Sequence, residues 1–221
     1  MGSNISLTAA DGHTLSAWRT GPEDATRGLV VVQEIFGVNH HIRGVADRFA
    51  AAGYLCIAPA LFDRVRPGIE LGYTQADVTE GIALRGKIAD TDSLADITAA
   101  AAALGERKLG IVGFCWGGTL AWWGATRTHL FKAASGWYGG GIAATRAEVP
   151  HCPVQLHFGD RDGSIPLADI AAIRNVQPGV DIYVYPGAGH GFGCDERASF
   201  SAPDAALAQQ RTLAFFAKNL A

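Results

Sequence analysis

Leu109-Gly110-Ile111-Val112-Gly113-Phe114-Cys115-Trp116-Gly117-Gly118 is the stretch whose reading decides the fold. An apolar run of strand character turns within a few residues into a sequence that can start a helix. Such a turn swings its middle residue outward in a strained backbone conformation, so glycine is required on either side. Gly113 and Gly117 supply it around Cys115. The pattern is a nucleophile elbow carrying cysteine in place of serine. A helix starting at Trp116 aims its positive end and its first N–H groups at Cys115, which favours thiolate and provides a donor to a developing oxyanion. The motif alone also fits a buried structural cysteine beside a tight turn, so its partners decide.

Working outward from the elbow, strands and helices alternate. Upstream, Ile5 to Thr8 and Thr14 to Arg19 flank Asp11-Gly12 and predict an antiparallel hairpin. Leu29 to Val32 is a β-branched run suited to a strand buried on both faces. Helical spacing from His41 to Ala52 and an apolar run over Tyr54 to Ala58 complete a βαβ unit. Past an irregular stretch through Gly72, Thr74 to Ile88 is weakly helical, and Ser93 to Leu104 predicts a helix before the elbow strand. Downstream, strands are expected at Lys132 to Trp137, Val154 to Phe158 and Ile182 to Tyr185, and helices at Leu167 to Asn175 and Pro203 to Leu220. The alternation demands an α/β fold, a mostly parallel sheet with helices on both faces and the hairpin at its start. Chemistry in such sheets gathers at the carboxyl ends of the strands.

Two loops at that edge carry the elbow's partners. Gly159-Asp160-Arg161-Asp162-Gly163-Ser164-Ile165-Pro166 follows one strand, and Pro186-Gly187-Ala188-Gly189-His190-Gly191-Phe192 the next. Nucleophile, acid and histidine occur in the chain order of hydrolases built on this plan. Cys115, Asp162 and His190 therefore form the expected triad: imidazole holds or moves the thiol proton, and the carboxylate fixes its tautomer. Asp162 is preferred to Asp160 because it stands in a D-x-x-I-P pattern, leaving Asp160 as a turn residue bonded to its own loop. Glu34, directly after a buried strand, is a candidate acid acting on Cys115, the other reading being an ion pair with Arg43. The N–H groups of Ile35 and Trp116 are candidate oxyanion donors, and Gly37 keeps the loop after Glu34 tight.

The 221 residues are 48% hydrophobic and 18% charged, with 18 Lys plus Arg against 21 Asp plus Glu and a net charge of −3. These values fit a single domain over residues 1–221 and leave no basic run for a nucleic-acid partner. No apolar stretch reaches the ~20 residues of a bilayer crossing. Met1 to Ala10 also lacks a basic segment followed by an apolar one, so no membrane association and a cytoplasmic location are expected. Cys56, Cys115, Cys152 and Cys194 are read as reduced thiols: Cys56 as strand core, Cys152 and Cys194 as exposed enough to oxidise. Trp116, Trp122, Trp123, Trp137 and Tyr138 are read mainly as core, with Trp116 and Tyr138 also able to line a pocket for a planar ring. His40 and His41 adjoin Asn39 at a helix start, where capping or surface roles are expected.

Gln33-Glu34-Ile35-Phe36-Gly37-Val38-Asn39 through Ile42-Arg43, Ala52-Gly53-Tyr54 with Ala58-Pro59, the elbow, Tyr138-Gly139 and Gly189-His190-Gly191-Phe192 together resemble the dienelactone hydrolase family over nearly the whole chain. The resemblance implies an α/β-hydrolase fold without a large cap, a Cys–His–Asp triad at Cys115, His190 and Asp162, and an activating acid at Glu34. It also implies hydrolysis of a small ester or lactone through a thioester, with no cofactor or metal. Family members clamp a substrate carboxylate with two arginines. Here Cys194 stands four residues after His190 and Thr74 to Glu80 has no arginine, so Arg197 and Arg85, with Phe36 and Tyr138, are the expected substrate contacts. A monomer or weak homodimer is expected. The competing reading is a catalytically silent binding or thiol redox sensor protein on the same fold. A glutamine amidotransferase-like domain also uses a cysteine elbow but places Glu two residues after its histidine, where this chain has Phe192.

Overall fold

Eight strands and six α-helices are built from residues 2–221, the part of the chain that the computed structural model describes. They fall into two compact units, the first ending at Gly110 and the second covering Ile111–Ala221.

In the first unit β1 (Ser3–Thr8) and β2 (Thr14–Thr20) form the expected antiparallel hairpin, Thr8 pairing with Thr14. β2 pairs antiparallel with β4 (Leu55–Pro59), which pairs parallel with β3 (Arg27–Val32), giving the order β1-β2-β4-β3. β3 and β4 are buried almost throughout, as their β-branched, alternation-free sequences require. α1 (His40–Ala51) starts where Asn39 accepts the Ile42 N–H on its side chain, an N-cap that satisfies one of the orphan donors of the first turn. Its Ile42, Val45, Ala46 and Phe49 share a buried face, each large apolar side chain contributing roughly 1.5–3 kcal/mol. α2 (Gln75–Arg85) opens on a reciprocal capping box between Thr74 and Asp77, which explains a helix in a segment of weak periodicity. α3 (Asp90–Ala103) buries Asp96 completely, and the Arg64 guanidinium neutralises it at 2.6 Å.

In the second unit β6 (Ala133–Trp137), β7 (Val154–Gly159) and β8 (Asp181–Tyr185) are successive parallel neighbours. β5 (Lys108–Phe114), which enters this unit at Ile111, leads into α4 (Trp116–Arg127), while α5 (Leu167–Val176) and α6 (Ala202–Asn219) separate or follow the later strands. The loops after β5, β7 and β8 therefore leave from strand carboxyl ends, as parallel pairing requires. Trp122, Trp123 and Trp137 are buried, as expected of core aromatics. Among the described residues no helix is long and apolar enough to cross a membrane.

Candidate active site

The elbow is held open by backbone strain. Cys115 has φ 55 and ψ −115, a conformation costly for a residue with a Cβ, and it stands directly before the first residue of α4. The turn closes so tightly that a Cβ on Gly113 would lie 1.9 Å from the Gly117 carbonyl oxygen. The strained residue is fixed from one side by its own N–H, which donates to the Trp137 carbonyl at 3.0 Å, and from the other by its carbonyl, which accepts from Gly118 at 3.0 Å. The Cys115 side chain is only partly buried.

His190 reaches it from the loop after β8. Its Nε2 lies 3.2 Å from Cys115 Sγ, and its Nδ1 lies 2.8 Å from Asp162 Oδ2. The second oxygen of Asp162 accepts the Ser164 N–H at 2.8 Å, so both carboxylate oxygens are engaged and the side chain is fully buried. Burial opposes charge on the imidazole, but the hydrogen bonds to Asp162 and Cys115 outweigh it and push the pKa of His190 up to about 10. The Tyr138 ring meets His190 edge-on at 5.2 Å, and the Ser199 hydroxyl donates to the His190 carbonyl at 2.6 Å. Ser199 carries no signal in the sequence, since a serine in a glycine-poor loop could face anywhere. Tyr138 is held at φ 39 and is fully buried, its ring backing the imidazole; Trp116 is also buried.

The other expected residues take varied places. Asp160 does not bond its own loop: its Oδ1 accepts the Gly187 N–H at 2.6 Å and so ties the loop after β7 to the one carrying His190. Arg43 takes Glu70 as its partner, through two bonds of 2.6 and 2.8 Å. Glu34 is fully buried two residues past the end of β3, and Gly37 fits so closely that a Cβ there would lie 2.1 Å from the Ile69 carbonyl oxygen. Ile35 is half-buried, its carbonyl against Gly81 of α2, and Phe36 is buried with its ring 4.6 Å from that of Tyr73. Arg85 ends α2 in an exposed position. Arg197 lays its guanidinium against Gly191, where a Cβ would come within 2.6 Å of Nη1. Cys194 is buried, contrary to the exposure expected of it, because Phe192, Cys194 and the Gly191 carbonyl fold inward as a turn. His41 is also buried, Asn39 having taken the capping role.

Sequence reading found no use for His157, which proves to be the most heavily bonded histidine of the second unit. It is fully buried, with Nδ1 2.9 Å from the Tyr185 hydroxyl and Nε2 2.9 Å from Gln155 Oε1 and 3.1 Å from Thr212 Oγ1. The available signal was two polar residues, Gln155 and His157, on one face of an otherwise apolar strand, where each must find a partner.

Residues 15–220 match the dienelactone hydrolase family. A Synechocystis protein provisionally named a carboxymethylenebutenolidase is 38% identical over 212 residues, covering 87% of this chain and 86% of that one. The carboxymethylenebutenolidase of Pseudomonas putida is 31% identical over 225 residues, 96% of this chain and 95% of its own length. A crystal structure from Klebsiella pneumoniae, provisionally named a dienelactone hydrolase, superposes with a TM-score of 0.82 at 33% identity over 98% of this chain and 99% of that one. With the match running through the elbow, the acid loop and the histidine loop alike, the chain belongs to the dienelactone hydrolase family and is an ester or lactone hydrolase of α/β fold.

Proposed function

We propose that the chain hydrolyses small activated esters or lactones through a thioester on Cys115. The observation that carries this reading is the line of contacts Sγ–Nε2 at 3.2 Å and Nδ1–Oδ2 at 2.8 Å, ending on a buried carboxylate. The contacts to Asp162 and Cys115 push the pKa of His190 up to about 10, so the imidazole holds a proton beside sulfur that it can hand to a leaving oxygen. Sulfur attacks the carbonyl carbon, and the oxyanion takes the N–H of Trp116 at the start of α4. The C–O bond then breaks, and the leaving oxygen takes the proton from His190 Nε2. Neutral His190 next removes a proton from water. The hydroxide adds to the thioester, and collapse expels the Cys115 thiolate with a carboxylic acid as product.

In a lactone the expelled oxygen stays tethered, and turnover requires water to reach the thioester before the ring recloses. Activated leaving groups suit a thiolate, and Arg197 beside Gly191 supports a substrate that itself bears a carboxylate. Glu34 is assigned the control of the thiol proton, and Glu34→Gln is expected to lower turnover strongly with folding intact.

The test is incubation with p-nitrophenyl acetate, followed by mass spectrometry. Wild type is expected to release nitrophenol and carry a transient acetyl group on Cys115, whereas Cys115→Ala does neither. Equal release by both proteins would overturn the reading in favour of a catalytically silent binding or redox sensor protein. Lactones and enol esters with and without a carboxylate then define the substrate.

A further inference from the structure

Gln155, Tyr183, Arg211 and Lys218 face one groove of about 440 Å³ in the second unit, between β7, β8 and α6, whose lining includes none of Cys115, Asp162 and His190. Arg211 stands over the Tyr183 ring, its central carbon 4.2 Å from the ring centre and 5.4 Å from that of Tyr185, and no carboxylate among the described residues pairs with it. The Tyr185 hydroxyl engages the same guanidinium, which helps hold its plane in place, and the remaining edge donors suit a planar carboxylate accepting two parallel hydrogen bonds. Lys218, two helical turns further along α6, adds a second positive charge at the same wall. Asp181 on the strand side supplies one negative charge, which limits the net excess to a single unit and selects against dianions.

Gln155 adds direction. Its side chain is 2% exposed, and His157 is neutral because burial, aided by the charge on Arg211, pushes its pKa down to about 3. With Tyr185 donating to Nδ1, His157 donates from Nε2 to the Gln155 carbonyl oxygen. With that oxygen occupied, the amide nitrogen is the group with which Gln155 can donate to a ligand in the groove it lines. Pro153, Ala214 and Phe215 supply apolar wall, and Asn219 a polar one.

We infer that this groove is a binding site for a small planar monocarboxylate, whose charged end meets Arg211 and the Gln155 amide and whose apolar body lies against Pro153 and Phe215. The site is independent of the thioester reading, since its ligand need not react.

Benzoate is the probe, titrated into the wild-type protein and followed by backbone and tyrosine NMR signals. Saturable shifts are expected at Tyr183, Arg211 and Lys218, with benzamide at least about tenfold weaker because it lacks the charge. Arg211→Gln is expected to weaken benzoate about tenfold and Arg211→Lys by less, a point charge replacing the fork. Near-UV circular dichroism checks that the variants keep their packing, and the exposed Lys218→Gln, expected to weaken binding about threefold by losing one long-range charge, serves if Arg211→Gln does not fold. The inference is overturned by absence of saturable shifts, by equal binding of benzamide, by undiminished binding in the Arg211 and Lys218 variants, or by shifts centred on His190 and Arg197.

Discussion

His190 and His157 lie in the same unit of the molecule, the first partly and the second wholly removed from water, and their proton affinities are driven in opposite directions. The imidazole of His190 binds its proton up to about pH 10, and that of His157 releases it down to about pH 3. Burial acts against the charged form in both. His190 differs in having a carboxylate on one nitrogen and a thiol sulfur on the other, so each contact strengthens with positive charge. His157 meets only neutral hydroxyl and amide groups, with the positive charge of Arg211 nearby. Low polarity around a histidine thus amplifies whichever partner is present, and the partner sets the sign.

The sharpest way to break this comparison is to neutralise the carboxylate. Asp162→Asn is expected to lower kcat about 10²–10⁴-fold, within the range for loss of acid–base function. It should also bring the titration of His190 down from about 10 toward 6.5, measured from imidazole NMR shifts. An unmoved midpoint would mean that Cys115 alone holds the proton.

Altering the neutral partners tests the other half. Thr212 accepts from the Trp137 indole at 3.2 Å as well as meeting His157. Thr212→Val is expected to cost about 1–3 kcal/mol of stability through unmet buried donors, measured by urea denaturation. The pH midpoint of turnover should stay in place, and a displaced midpoint would show that the two histidines are coupled.

The pH dependence of stability carries both signs. The bonds to protonated His190 stabilise the fold fully below about pH 6.5, its unfolded value, and their contribution fades as pH rises toward 10. The unfolded chain protonates His157 as pH falls below 6.5, whereas the folded chain does not until about 3, so stability falls over that acid window. Both contributions favour a maximum near neutrality. Denaturation midpoints in a His157→Leu variant should lose the acid slope alone.

The smallest effect is expected at Asp160, which binds the histidine loop from outside. Asp160→Ala should cost about 0.5–1.5 kcal/mol, with the His190 titration unchanged.

The same contrast separates what could be read along the chain from what could not. The elbow, the acid in Asp162-Gly163-Ser164-Ile165-Pro166 and the histidine in Gly189-His190-Gly191 are local patterns, each signalled by glycines and by position after a strand. The hairpin and most helices were legible for the same reason: periodicity, caps and turns act within a few residues. Helix ends moved by one to three residues, as at α3, where Asp90 extends the first turn beyond the expected Ser93. Partners distant in sequence were not legible. Arg43 was weighed against Glu34 and took Glu70; Asp160 reached across to Gly187; Arg64 neutralised Asp96 in a helix whose sequence gives no hint of it.

The sequence by itself determined which residues can do chemistry and the order in which strands and helices deliver them, because glycine, β-branching and amphipathic period are local steric facts. Only the tertiary structure decided the partner of each charge, since hydrogen bonds of 2.8 and 3.2 Å join residues that are 28 and 75 positions apart in the chain. It is those bonds that hold a proton on His190, while burial and Arg211 keep His157 neutral.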